Sequence, residues 1–99
     1  MYSRPPKRVK KSIHGLGQRT LCELLKARRI AKGLTQQQFA KRLKAPQSFV
    51  SKVEAGERRL DVVEFFEYVT ALGSVPEKLF AEFGNSFRST SKAEPEGGL

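Results

Sequence analysis

The sequence has few of the residues from which catalytic and metal sites are usually built. It contains one cysteine, Cys22, and one histidine, His14, so an intrachain disulfide, a cysteine-based zinc site and a histidine cluster are excluded. No Ser/His/Asp constellation can be assembled, which argues against a hydrolase, and neither a cofactor nor a metal is expected. Cys22 lies in an apolar run of helical period and is predicted to be a buried structural thiol.

Long apolar runs are also lacking. No stretch of about 18 apolar residues is present to form a transmembrane helix, and no apolar segment follows the N-terminal charges as it does in a signal peptide. The basic N-terminal stretch lacks the large apolar face of an interfacial helix. We therefore expect a cytoplasmic protein that has no membrane partner.

Acidic residues are scarce in the first sixty positions. The chain carries 19 Lys and Arg against 10 Asp and Glu. Residues 1–34 have a net charge of +9, residues 35–59 of +4 and residues 60–99 of −4. A strong local field of one sign is typical of a protein with an oppositely charged partner. The first sixty residues are therefore expected to face a polyanion, with a solvated basic surface as the alternative.

The length of 99 residues predicts a single domain. Residues 1–17 combine paired prolines, basic residues and two glycines, a composition that predicts a flexible basic arm. Residues 84–99, rich in Ser, Gly and Glu, predict a disordered tail. Residues 18–83 carry dense helix signals and no strand alternation, so the expected fold class is all-α, with five helices in a compact domain.

Helix boundaries are marked by residues that stop or cap a helix. The first helix is predicted from Gln18 to Lys32, with Gly33 as its stop. Capping boxes, in which a side chain and two backbone N–H groups bond reciprocally, are predicted for the pairs Thr35 and Gln38, Asp61 and Glu64, and Ser74 and Glu77.

Two short helices follow each other closely, one opened by Thr35 and the next running from about Pro46 or Gln47 to Glu54. This pattern is typical of a helix-turn-helix. The apolar Val50 and Val53 fix the inner face of the second helix. A helix in the major groove reads bases through the outer side chains near its N-terminus, where glutamine suits adenine, lysine suits guanine and serine suits either. The predicted base-reading residues are Gln47, Ser48, Ser51 and Lys52.

The segments RRIAKGLTQQQFAKRL and QSFVSKVEAGERRLDVVEFFEYVTALG resemble the lambda-repressor-like (Cro/C1-type, XRE family) helix-turn-helix proteins. The resemblance runs from about residue 21 to residue 83 and implies a compact five-helix DNA-binding domain. It also implies that Gln36 bonds a phosphate and braces Gln47, and that Arg29 pairs with Glu54. Two positions depart from the family pattern: Lys44 replaces a common turn glycine, and Pro46 replaces a common Ser or Thr cap.

Further contacts with DNA are hypotheses with simple alternatives. Phosphate contact and plain solvation are both open for Arg58 and Arg59 in the loop after the second helix. The basic arm could wrap a duplex or enter a minor groove, or be a solvated charge run; its residues in question are Lys7, Arg8, Lys10 and Lys11. Phe49 is interpreted as a partly buried core residue in preference to a base contact.

The last predicted helix carries large apolar residues that could belong to the core or to a dimer surface; these are Val75, Leu79, Phe80 and Phe83. A homodimer would set two recognition helices ~34 Å apart on a palindromic site. The predicted function is therefore a nucleoid-associated transcriptional regulator, a repressor that binds double-stranded DNA without cofactor or catalysis. The alternatives are an antitoxin with a toxin partner, a restriction–modification controller, and a protein-interaction adaptor without DNA readout.

Overall fold

The computed structural model describes residues 7–92, and the side chains of residues 15–89. Within this range the regular elements are five helices: α1 (Lys7–Ala31), α2 (Gln36–Leu43), α3 (Gln47–Glu54), α4 (Val62–Ala71) and α5 (Pro76–Lys92). The all-α fold and the five helices predicted from the sequence are confirmed.

Two of the three predicted capping boxes are present. Thr35 caps α2 with Gln38 as its reciprocal partner, and Asp61 caps α4 with Glu64. The third box, at Ser74, is wrong because α5 begins at Pro76. Proline suits the first helical position, since its fixed φ is already helical and its missing N–H would have no partner there.

The outer helices are longer than the sequence predicted. The flexible arm and the disordered tail are wrong for residues 7–17 and 84–92, which belong to α1 and α5. These segments pack on each other: Gly17 is buried, and a Cβ atom at this position would lie 3.2 Å from the Phe87 ring. The Phe87 ring also stacks on Phe83 with centroids 5.6 Å apart. Residues 1–6 and 93–99 lie outside the described residues.

The core lies where α1, α2, α3 and α4 meet, and α5 closes it. Phe39 of α2 and Tyr68 of α4 are fully buried and meet edge to face, with ring centroids 4.8 Å apart. Val50 and Val53 of α3 join the same core. α3 is therefore fixed on its inner side, and its opposite face is left at the surface.

The turn between α2 and α3 has an unusual backbone. α2 ends in a Schellman motif, in which Ala45 N–H bonds Ala40 C=O at 3.0 Å and Lys44 N–H bonds Lys41 C=O at 3.1 Å. The motif requires a left-handed residue, and Lys44 adopts φ 61° and ψ 45° to supply it. Lysine thus occupies the left-handed conformation that usually favours glycine.

Replacing Lys44 by glycine is expected to raise the free energy of unfolding by about 0.5–1 kcal/mol. A left-handed residue with a Cβ atom costs roughly 1–2 kcal/mol, and glycine removes this strain. The greater entropy of glycine in the unfolded chain offsets part of the resulting stabilisation. Urea unfolding measures the difference. Lys44→Ala serves as the control because it keeps the Cβ atom, so equal stabilisation by both variants would contradict this explanation.

Candidate nucleic-acid interface

The outer face of α3 is a row of exposed polar side chains. Gln47, Ser48, Ser51 and Lys52 are all exposed. On the opposite side Val50 and Val53 are buried, with 0% and 2% of their surface exposed. The structure therefore brings the four residues predicted to read bases together on one solvent-facing side of a helix.

The N-terminus of α3 is not capped by a side chain. Pro46 occupies the N-cap position with an extended backbone, and its side chain makes no capping hydrogen bond. The first N–H groups of a helix have no partner within the helix. Such groups, together with the positive end of the helix dipole, bind phosphate well.

A buried ion pair lies beneath this face. Arg29 of α1 meets Glu54 at the end of α3 through two parallel contacts, Nε to Oε2 at 2.6 Å and Nη2 to Oε1 at 3.0 Å. The two side chains are only 9% and 4% exposed. The hydrogen bond to Glu54 raises the pKa of the Arg29 guanidinium, so the guanidinium stays charged. Arg29 also donates to Leu34 C=O at 2.6 Å. The ion pair implied by the family resemblance is present.

Hydrogen bonds connect this ion pair to the surface. Gln36 Nε2 donates to Glu54 Oε1 at 3.0 Å, and Gln36 Oε1 accepts from Gln47 Nε2 at 3.3 Å. Gln47 retains its carbonyl oxygen and one N–H, the pair of groups with which glutamine bonds adenine. The second amide N–H of Gln36 remains for a phosphate oxygen. This series of side-chain contacts, Arg29–Glu54–Gln36–Gln47, therefore connects a predicted base-reading side chain to the buried ion pair.

Arg58 and Arg59 have different surroundings. Arg58 is half-buried and makes two contacts with Glu64, Nη2 to Oε2 at 2.6 Å and Nη1 to Oε1 at 3.3 Å. It also donates to Arg59 C=O. The hydrogen bond from Arg58, followed by that from Asp61 N–H, lowers the pKa of the Glu64 carboxyl. Arg59 is exposed, and its phosphate contact stays a prediction. The geometry of Arg58 favours a structural role.

Phe49 lies between the exposed outer face of α3 and the core. Its side chain is half-buried, and its ring centroid lies 6.2 Å from that of Tyr68. The Arg58 guanidinium carbon lies 5.2 Å from the Phe49 ring centroid, a distance at which a cation is attracted to an aromatic ring. The sequence interpretation of Phe49 as a partly buried packing residue agrees with this position.

An apolar groove, which we call the α4–α5 groove, lies beside α4 and α5. Its volume is about 380 Å³, and its lining includes Leu21, Val62, Phe65, Phe66, Phe80 and Phe83. Val62, Phe66 and Phe80 are 82%, 52% and 59% exposed. Of the predicted dimer residues, Phe80 and Phe83 line the groove, whereas Val75 is 49% exposed and outside the lining. The prediction of Leu79 as a possible dimer residue is wrong, because Leu79 is 1% exposed and belongs to the core.

The remaining features are the basic N-terminal segment, Cys22, and groups that could bind a metal or span a membrane. The side chains of Lys7, Arg8, Lys10 and Lys11 fall in α1 but are not among the described ones. Cys22 is buried as predicted and donates to Val53 C=O at 3.1 Å; burial raises the pKa of its thiol. Among the described residues, no three acidic, His or Cys side chains cluster as metal ligands. In the same range no helix is long and apolar enough to cross a membrane.

Comparisons with known proteins identify the family to which this chain belongs. The helix-turn-helix family profile matches residues 25–80. The solved structure of an XRE-family like protein from Pseudomonas syringae pv. tomato str. DC3000 is 41% identical, with 81% of this chain and 98% of that chain covered and a TM-score of 0.73. The chain belongs to the XRE family of helix-turn-helix proteins. Comparison with curated protein sequences gives no significant match.

A second solved structure supports the fold of this XRE-family chain. The clp gene regulator ClgR from Corynebacterium glutamicum is 20% identical, with a TM-score of 0.68 over 80% of this chain and 84% of that chain. The family assignment supports a DNA-binding transcriptional regulator. Residues 7–24 and 81–92, which make up most of α1 and α5, lie outside the family match.

Sequence reasoning missed one buried group in this XRE-family domain. Tyr68 is 1% exposed, and among the described side chains its hydroxyl is the buried polar atom without a hydrogen-bond partner. Burial raises the pKa of Tyr68 far above its usual range. The sequence offered no signal for this, because a tyrosine on the inner face of a helix usually finds a partner for its hydroxyl.

Tyr68→Phe is expected to raise the free energy of unfolding by about 1 kcal/mol, since it removes a buried hydroxyl whose lost hydration is not replaced. The edge-to-face contact with Phe39 is retained, because the ring is unchanged. Thermal or urea unfolding checks this result. A loss of stability on removing the hydroxyl would mean that it has a hydrogen-bond partner after all.

Proposed function

We propose that this protein is a repressor that binds a palindromic operator as a homodimer and places α3 in the major groove. The observation that carries the proposal is the exposed row Gln47, Ser48, Ser51 and Lys52 on a helix whose other side is buried. A helix in this setting offers amide, hydroxyl and ammonium groups to base edges, which are the groups that discriminate between base pairs in the major groove.

Backbone contacts would fix the protein on the duplex. The open N–H groups at the start of α3 and the spare amide N–H of Gln36 lie at the same end of the helix-turn-helix, where phosphate oxygens flank the groove. Arg59, in the loop after α3, adds a cation. These groups carry no sequence information and set the register of the reading helix.

The charge distribution supports the same orientation. Residues 1–59 have a net charge of +13 and contain α1, α2, α3 and the loop to Arg59, whereas residues 60–99 have a net charge of −4 and contain α4 and α5. A duplex attracts the basic part and repels the acidic part. DNA is therefore expected on the α2–α3 side, which leaves the α4–α5 groove uncovered.

A second copy of the chain is the proposed occupant of the α4–α5 groove. The groove gathers three of the large exposed apolar side chains, Val62, Phe66 and Phe80, and contiguous apolar surface of this kind is typical of an association site. It lies in the part of the chain that does not face DNA. Pairing there would leave both recognition helices available for two half-sites one helical turn apart.

The repressor would act by occupying promoter DNA in the cytoplasm, at the nucleoid, without a cofactor. Selection from a random DNA library, followed by gel shifts of the selected site at several salt concentrations, tests the proposal. We expect an inverted repeat with half-site centres about 10 base pairs apart and an affinity that falls steeply with salt, because neutralised phosphates release counterions. No enriched sequence, or binding that is insensitive to salt, would refute it.

A further inference from the structure

Arg58 connects α3 to the start of α4. Its guanidinium makes two contacts with Glu64, at 2.6 Å and 3.3 Å, and its central carbon lies 5.2 Å from the ring centroid of Phe49. Phe49 belongs to the first turn of α3 and Glu64 to the first turn of α4. A single side chain therefore joins two helices that are separated by a loop of seven residues.

Glu64 is a fixed anchor for this contact. Its Oε1 accepts from Asp61 N–H at 2.9 Å, and its own N–H donates to Asp61 Oδ1 at 2.7 Å, so the carboxylate is held by the capping box of α4. Both carboxylate oxygens also bond Arg58. A planar guanidinium held at two points has little freedom to turn. Its position over Phe49 is therefore determined by the start of α4.

The position of the Phe49 ring affects the predicted base-reading side chains Ser48 and Lys52. It directly follows Ser48 and lies one turn before Lys52 on the same helix, where residues three apart are neighbours on the surface. Its ring also contacts Tyr68 of α4. A shift of the Phe49 ring would rotate or tilt α3, and Ser48 and Lys52 would move with it.

We propose that Arg58, held by Glu64, is a positioning residue that sets the orientation of α3 through Phe49 and so determines base preference without contacting DNA. The inference rests on the proposed function, because base preference presupposes that α3 reads DNA. It assigns to Arg58 a role different from the phosphate contact that its place after a recognition helix suggests.

The two roles predict different binding behaviour. A phosphate contact, when removed, weakens binding to all sequences alike and reduces the salt slope by about one. Altering a positioning residue changes the ratio of the affinity for the best site to the affinities for its single-base variants, and it leaves the salt slope unchanged. A neutral variant of Glu64 separates the two roles further. If Glu64 acts only through its charge, removing that charge near DNA raises the affinity for every sequence. If Glu64 anchors Arg58, its loss lowers the discrimination between sequences.

The experiment measures the affinity of wild type, Arg58→Lys and Glu64→Gln for the selected operator and its single-base variants over a salt series. Arg58→Lys keeps the charge and loses the planar, two-point contact. Glu64→Gln keeps an acceptor for Asp61 N–H, since glutamine also serves in a capping box. Glu67→Gln is the matched control, because Glu67 is an exposed acid of the same helix, outside these contacts.

Both test variants are expected to reduce the ratio of best-site to variant-site affinity by about fivefold, with an unchanged salt slope, while Glu67→Gln keeps the wild-type ratio. In the DNA-free protein, the amide NMR signals of Ser48, Phe49 and Lys52 should move in Glu64→Gln but not in Glu67→Gln. An unchanged ratio in both variants, including a uniform change of affinity for every sequence, would overturn the proposal and leave the proposed function standing. A wild-type protein without base preference would overturn both.

Discussion

Replacing Glu54 by alanine is expected to destabilise the protein by about 3–5 kcal/mol, because it leaves a buried arginine without its counter-charge. Arg29 and Glu54 are 9% and 4% exposed, so water cannot replace the lost carboxylate. The loss is a large share of the roughly 5–15 kcal/mol that stabilises a typical domain. Urea unfolding at a fixed protein concentration measures it, since association would also change the apparent stability.

Two controls separate the charge effect from simple loss of packing. Glu54→Gln keeps the size and one acceptor for Gln36, so it is expected to lose less stability than Glu54→Ala. In the double variant Arg29→Met/Glu54→Leu both charges are replaced by apolar groups, and most of the stability should return. DNA binding should stay weakened there, because Gln36 and Gln47 lose their connection to the core. A single alanine variant as stable as wild type would contradict the importance of the pair.

Replacing Val62 by glutamate is expected to convert the proposed homodimer to monomers and to lower operator affinity by about 100-fold, since two linked half-sites gain roughly 10²–10⁴ over one. Val62 is 82% exposed and lines the α4–α5 groove. It is the first residue of α4, where an acidic side chain interacts favourably with the helix dipole. Folding should therefore be unaffected, and sedimentation together with gel shifts reports the result.

The neighbouring residue offers a matched control. Val63 is 64% exposed and belongs to the same helical turn, yet it does not line the groove. Val63→Glu introduces the same charge one position away and should remain dimeric with wild-type operator affinity. Dissociation of both variants, or of neither, would mean that the protein associates through another surface.

The α2–α3 segment was predictable because its signals are local. The capping pair Thr35 and Gln38 fixes the start of α2, and Val50 and Val53 fix which side of α3 faces inward. Exposure of Gln47 and Lys52 follows directly from that helical period. The ion pair of Arg29 with Glu54 came from the family resemblance, since no local pattern connects residues on α1 and α3.

Other features depend on contacts between distant segments. Gly17 and the Ser-rich stretch after residue 84 suggested irregular chain, but packing of Phe87 over Gly17 makes both segments helical. Leu79 could not be assigned to core or surface from its helix alone, because the rotation of α5 depends on α1 and α4. Likewise, the contacts of Arg58 with Phe49 and Glu64 arise from a loop that folds back between two helices.

Base discrimination by α3 is tested most directly by measuring affinities for the selected operator and all its single-base-pair variants. The proteins compared are wild type, Gln47→Ala, Lys52→Ala and the control Lys78→Ala, whose lysine is exposed on α5. Gln47→Ala and Lys52→Ala should each lose about 1–3 kcal/mol of discrimination at one position per half-site, while Lys78→Ala keeps the wild-type preferences. Equal losses at every position, or unchanged preferences in all three variants, would contradict recognition through α3.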